Sequence, residues 1–235
     1  MEAFSEIAQR VHSSENYEET MRSITETAVS AIGGCDSASL SLLEKTGPVT
    51  HAATSEVARD GDQIQYDEGE GPCLDAAFSQ RWVYTPVVKA DQRWPRSSTR
   101  LADELGVGSM FSCRLTLEAA PNHTLGGLNL YAMSKDAFKE EDQMMSILLS
   151  SLGAVVVDAS RQQAHLRSAI ESRQLIGEAI GILRSQSDLS SEEAFAMLSK
   201  ASQRMNVKLR DLAHQITAKG GSLNGGDRAQ GHVRS

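Results

Sequence analysis

The chain has 235 residues, 40% of them hydrophobic, enough for one large core and one small one. Its formal net charge is −8, from 23 Lys and Arg against 31 Asp and Glu, so a nucleic-acid surface spread over the whole chain is excluded and any such surface must be local. No uninterrupted apolar run of about eighteen to twenty residues occurs, which argues against a membrane span.

The start, M-E-A-F-S-E-I-A-Q-R, carries acids where a secretory leader needs bases. Three widely spaced cysteines, Cys35, Cys73 and Cys113, fit buried thiols in a reducing cytoplasm. Phe4, Ile7, Ala8 and Val11 predict a first amphipathic helix. Tyr17 to Ile32 predicts a second, with Met21, Ile24, Ala28 and Ile32 on one face and Gly33-Gly34 as its stop. Ala38–Leu43, Val49–Thr54, Trp82–Val88, Gly108–Leu117 and Leu125–Met133 then read as five strands. Each is short, apolar or β-branched, and bounded by Gly, Pro or charge. Five strands flanked by helices predict an α+β sheet domain over about residues 1–160.

A seam of three- and four-residue steps follows: Leu152, Val155, Ala159, Gln162, Leu166, Ala169, Arg173, Ile176, Ile180 and Leu183. It predicts a linking helix over 152–183. Two packings suit it: a parallel coiled-coil homodimer, or a long helix whose ends pack inside their own domains. Gly177 and Gly181 each weaken that helix by about 1 kcal/mol relative to alanine.

Ser190 and Glu193 predict a capping box. Ala194, Phe195, Met197, Leu198 and Ala201 give the next helix an apolar face, which assigns Phe195 to a core. Asn206 suits a turn, and Leu209, Leu212, Ala213 and Ile216 complete a third helix. These helices predict a small all-α domain over 166–219. After it, 220–235 reads as a flexible tail.

Charge divides along the same line. Residues 1–165 hold 13 Lys and Arg against 24 Asp and Glu, whereas 166–235 hold 10 against 7, so the C-terminal part is net positive.

The stretch from Arg173 to Ile216 resembles the ANTAR family, the RNA-binding output domain of bacterial transcription antiterminators. The resemblance rests on Arg173, Ile176, Ala179-Ile180-Gly181-Ile182-Leu183, Glu193-Ala194-Phe195, Leu198, Ser202-Gln203, Asn206, Leu209-Arg210 and Ala213. Two positions depart from the family. Ile180 stands where many members carry lysine, and Arg184 where methionine is common.

Upstream, Gly69-Glu70-Gly71-Pro72-Cys73, D-Q-R-W-P at 91–95, Gly106-Val107-Gly108-Ser109, Leu125-Gly126-Gly127-Leu128-Asn129-Leu130-Tyr131 and Ala137-Phe138 resemble a GAF domain, in the version that actinobacteria couple to ANTAR domains. That resemblance implies a sensory sheet domain with a ligand cavity. Together the two imply a cytoplasmic, signal-responsive RNA-binding antitermination regulator that is not an enzyme. Its partners would be hairpins in a nascent leader transcript and a second copy of itself, with no membrane. A DNA-binding regulator is the alternative, because the last two helices superficially resemble a helix-turn-helix; Lys208 and Arg210 before Asp211 are a thin base-reading set.

Candidate RNA-binding residues are Arg173, Ala179, Gly181, Arg184, Lys200, Gln203, Arg204, Asn206, Lys208 and Arg210, with cations for phosphates and amides for loop bases. The Ala179–Gly181 surface would lie against the loop. With Phe195 placed in the core, aromatic stacking is not expected.

The ligand of the sensor is not specified by the sequence. Gly69, Gly71 and Cys73 are candidate ligand-binding residues: backbone amides near a helix start can receive an anion, although a tight turn explains Gly and Pro there equally simply. Cys73 is either a low-pKa oxidant sensor or, preferably, a buried inert thiol. His51 and His123 read as surface or core histidines in preference to haem ligands. No phosphate-binding G-x-x-x-x-G-K-[ST], no cyclic-nucleotide N-K-x-x-x-F pattern, no metal-ligand spacing and no nucleophile constellation occurs.

Overall fold

In the computed structural model the described residues are 17–117 and 120–218. The helix expected over Phe4–Val11 and the tail expected over 220–235 fall outside them. The chain divides into two compact units, Met1–Ala164 and His165–Ser235.

The first unit is built on a five-stranded antiparallel sheet. Its strands are β1 (Ser37–Glu44), β2 (Gly47–Ala53), β3 (Trp82–Thr85), β4 (Ser109–Leu117) and β5 (Ala120–Ala132), in spatial order β2-β1-β5-β4-β3. All five expected strands are present, and β5 begins five residues earlier than its apolar run suggested. Helix α1 (Tyr17–Ala31) packs on one face together with the N-terminal part of α5 (Glu140–Gln186). There Met21, Ile24, Ala28, Leu149, Ala154 and Val157 meet Leu40, Phe111, Cys113, Leu115, Leu128 and Leu130. Helices α2 (Glu56–Glu68), α3 (Pro72–Phe78) and α4 (Pro95–Leu105) lie on the opposite face, where Ile64, Cys73 and Leu101 meet Met110 and Tyr131. Successive strand residues point to opposite faces, so Met110 and Phe111 serve different cores. Both faces are covered, so β1 is buried at six consecutive residues in place of an in-out alternation.

Helix α5 runs without interruption from Glu140 to Gln186, starting twelve residues before the linking helix read from the seam. Glu140, Glu141 and Asp142 occupy its first turn and Arg184 its last, each at the dipole end that suits its charge. Among the described residues it is the helix long and apolar enough to cross a membrane by length and composition. Leu149, Ala154 and Val157 of that helix pack in the sheet core, and a third of the apolar stretch is buried.

The second unit packs the C-terminal part of α5 with α6 (Ser191–Met205) and α7 (Leu209–Ala218) around Ala179, Leu183, Ala194, Leu198, Leu212, Ala213 and Ile216. The Ser190–Glu193 capping box is formed with both bonds. Ser190 Oγ accepts from the Glu193 amide at 3.2 Å, and Glu193 Oε2 accepts from the Ser190 amide at 2.8 Å. Asn206, at φ 51°, makes the left-handed turn between α6 and α7.

Candidate functional site

The α2–α4 face of the sheet carries a buried polar cluster. Asp62 and Gln65 project inward from α2 and meet Asn129 and Tyr131 of β5, all four fully buried. Asp62 Oδ1 accepts from Tyr131 Oη at 2.5 Å and from Asn129 Nδ2 at 2.8 Å. Its Oδ2 accepts from Thr50 Oγ1 at 2.7 Å and Ser41 Oγ at 3.1 Å. Burial pushes the Asp62 carboxyl up from its ordinary range, and the bonds from Tyr131, Thr50 and the serines pull it part of the way back. α2 can approach this closely because Gly61 faces the ring of Tyr131, where a Cβ would come within 2.7 Å of Cε1.

Of the three candidate ligand residues, Gly71 and Cys73 border this cluster. Gly69 is the left-handed C-terminal cap of α2. Gly71, at φ 146°, lies against Gln65, whose side-chain oxygen a Cβ would approach to 2.5 Å. The amide of Cys73 donates to Gln65 Oε1 at 2.8 Å, so the first helix amide of α3 is already bonded within the protein. The Cys73 thiol is buried beside Asn129 Nδ2, at 3.1 Å, and burial pushes its pKa up to about 12. The thiol is thus the buried one that the sequence reading preferred, and the oxidant-sensor alternative, which requires a depressed pKa and access, does not fit. Cys113 is likewise pushed up to about 12 by burial, as is Cys35. His51 sits on β2 with Nε2 3.0 Å from Glu44 Oε1, an exposed pairing; the side chain of His123 lies outside the described ones.

In the second unit, most of the candidate RNA contacts are exposed. Arg173, Gly181, Arg184, Lys200, Gln203, Arg204, Asn206, Lys208 and Arg210 all reach solvent. Arg184 is steadied by a bond from Nε to the Leu189 carbonyl at 3.3 Å. Arg210 donates to Asp211 and, through Nη1, to Ser168 Oγ at 3.3 Å, which ties α7 to α5. Gly177 and Gly181 have open space where a side chain would stand.

Ala179 is a correction. It is fully buried in the three-helix core, because it lies on the α5 face that meets Ala194 and Leu198, and its side chain cannot touch RNA. Phe195 is the opposite correction: 45% exposed, it stands outside that core. It follows Ala194 by about 100° around the helix, which turns it off the packed face. Met197 is also exposed.

The seam on α5 divides in use. Leu183 is buried inside the second unit, and Ile176 and Ile180 pack against the same core. Val155, Ala159, Gln162, Leu166, Ala169 and Arg173 are exposed, Leu166 at 66%.

Residues 14–158 match the GAF domain family model and residues 164–216 match the ANTAR domain model. No curated protein matches the sequence significantly. Solved structures with a similar fold include the GAF domain of a phosphoenolpyruvate-protein phosphotransferase from Coxiella burnetii (16% identity, TM-score 0.55, covering 70% of this chain and 95% of that one). The corresponding domain from Acinetobacter is similar at 12% identity and TM-score 0.51, over 70% of this chain and 96% of that one. The phytochrome photosensory core module of Stigmatella aurantiaca is similar at 9% identity and TM-score 0.56, over 86% of this chain and 44% of that one. At such identities the likeness is one of fold.

Proposed function

We propose a function from one premise: the chain belongs to the GAF domain family and carries an ANTAR domain after its GAF domain. A GAF domain is a sensor and an ANTAR domain an RNA-binding antitermination module, so the chain couples sensing to transcript control. In the full reading, a signal received by the GAF domain alters a homodimer held along α5. Its paired ANTAR modules bind hairpins in a nascent leader transcript in the cytoplasm, and a terminator fails to form.

The observation that carries this reading is that the ANTAR match falls on the net-positive part of an acidic chain and exposes Arg173, Arg184, Arg204, Lys208 and Arg210 there. Arg and Lys hold phosphates, while the side-chain amides of Gln203 and Asn206 can bond the edges of unpaired loop bases. The exposed Val155, Leu166 and Ile170 supply an apolar face for a second helix. On the sensor side, Gly71 and Cys73 beside the buried Gln65, with Gly69 at the end of α2, are the proposed ligand contacts.

Sequencing RNA that co-purifies with the full chain tests the proposal. Enrichment of leader hairpins, lost when Arg173 and Arg210 are both replaced by alanine, supports it. Recovery of duplex DNA with no enriched RNA would instead favour a DNA-binding regulator.

A further inference from the structure

The exposed half of α6 presents three kinds of group in succession around the helix. Taking 100° per residue from Phe195, Gln203 lies at about 80°, Lys200 at about 140° and Arg204 at about 180°, whereas the buried Ala194 and Leu198 lie on the opposite half. A ring at one border, an amide in the middle and two cations at the other border form a graded surface. Glu192 and Glu193, at about 60° and 160° and both exposed, disfavour a phosphate at the N-terminal end, so a polyanion would approach the C-terminal half, where Lys200, Gln203 and Arg204 lie about 7.5, 12 and 13.5 Å along the axis beyond Phe195.

Phe195 is the sole aromatic residue in 166–235 and makes no ring contact among the described residues. An exposed phenyl ring gains nothing from water. A flat partner would bury it, and a nucleobase in a strand whose further phosphates and bases reach the cations and the amide along the helix is the partner whose chemistry matches this surface.

We infer that Phe195 is the stacking platform for one unpaired base of the bound RNA, with Gln203 meeting the edge of a further base and Lys200 and Arg204 holding phosphates further along the strand. This rests on the RNA-binding reading and deepens it: recognition includes a stacked base as well as hairpin shape. Because the ring lies outside the three-helix core, its replacement leaves the fold intact.

The probe is a fixed-stem hairpin RNA taken from a randomised-loop pool by the full-length wild-type chain and titrated by filter binding. Phe195→Ala and Phe195→Leu should each weaken binding at least about fivefold, while Phe195→Tyr stays within about twofold. Single abasic substitutions scanned through the loop should reveal one position where the wild type loses the same factor and Phe195→Ala loses nothing further.

Equal affinity for wild type and Phe195→Ala, or full affinity in Phe195→Leu, would overturn the stacking role while leaving RNA binding in place. Unchanged RNA affinity with altered sedimentation in Phe195→Ala would assign the ring to a protein contact and also overturn it. A wild-type chain that captures no hairpin from the pool would fail at the earlier step, the RNA-binding reading itself.

Discussion

Replacing Asp62 by alanine should destabilise the N-terminal unit by about 2 to 5 kcal/mol. Four donors lose their acceptor, but not equally. Ser41 Oγ and Thr50 Oγ1 lie 2.5 and 3.1 Å from Tyr66 Oη and can rotate toward it. Asn129 Nδ2 keeps only longer contacts, to Ser39 Oγ and Ser41 Oγ at 3.3 Å each and to Cys73 Sγ at 3.1 Å. Tyr131 Oη has Gln65 Nε2 beside it at 3.2 Å, a donor, and therefore loses its acceptor outright. One donor wholly orphaned and one poorly served, at about 1 to 3 kcal/mol each, give most of the loss. Removing a carboxyl from a fully packed site supplies the rest. Urea unfolding, followed by the fluorescence of the buried Trp94 and by far-UV circular dichroism, reads the change. A variant within about 1 kcal/mol of wild type would refute the claim that this cluster holds α2 to the sheet.

The same carboxyl sets a pH dependence. Its folded-state pKa is raised, so the folded state holds the proton more tightly than the unfolded one. Its contribution is fully present below the unfolded pKa and is lost as pH rises toward the folded value. The stability of wild type relative to Asp62→Asn should therefore increase as pH is lowered from neutral toward 4, and a constant difference would contradict it. All three thiols are buried, so a thiol reagent at mildly alkaline pH should label none quickly in the folded protein and all three in denaturant; fast native labelling of Cys73 would be the contrary result. Ser190→Ala removes one bond of the capping box and should cost the second unit about 1 kcal/mol by thermal unfolding. Leu166→Asp places a charge in the exposed seam and should weaken self-association in sedimentation equilibrium; a wild-type chain that is monomeric at every concentration tested would remove the coiled-coil dimer from the account.

Elements whose inward residues are apolar were legible in the sequence, and those packed on polar residues were not. The strands and α1 declared themselves through apolar runs and three- and four-residue spacing. Helix α2 did not, because it turns Gly61, Asp62 and Gln65 toward the sheet, as α4 turns Ser97 and Ser98 inward beside Leu101. Their end signals were present all the same: Ser55 caps α2 and Gly69 ends it, while Pro95 starts α4 and Gly106 ends it. The buried cluster escaped for the same reason, since residues far apart in sequence, Thr50, Asp62 and Tyr131, become neighbours only across the sheet. The early start of α5 was missed because the seam was counted only from Leu152, whereas the helix begins at Glu140; Gly153 within it serves close packing, with Ile24 and Leu115 about 3.5 Å from where its Cβ would stand. In the second unit the caps, turn and core positions could be read directly. Phe195 and Met197 could not, because membership of an apolar stripe leaves open which edge of the stripe faces the core, and Ala179 falls on the apolar spacing that its placement against RNA overrode.

The most direct test of the central claim is a titration of the full-length wild-type chain with a tandem-hairpin leader RNA and with duplex DNA of the same sequence, across a range of salt concentrations. The account predicts saturable binding to the hairpins and markedly weaker binding to the duplex, with log affinity falling linearly with log salt. That slope should shrink when Arg173 and Arg210 are replaced by alanine. Tighter binding to the duplex, or hairpin binding indifferent to those two arginines, would contradict it.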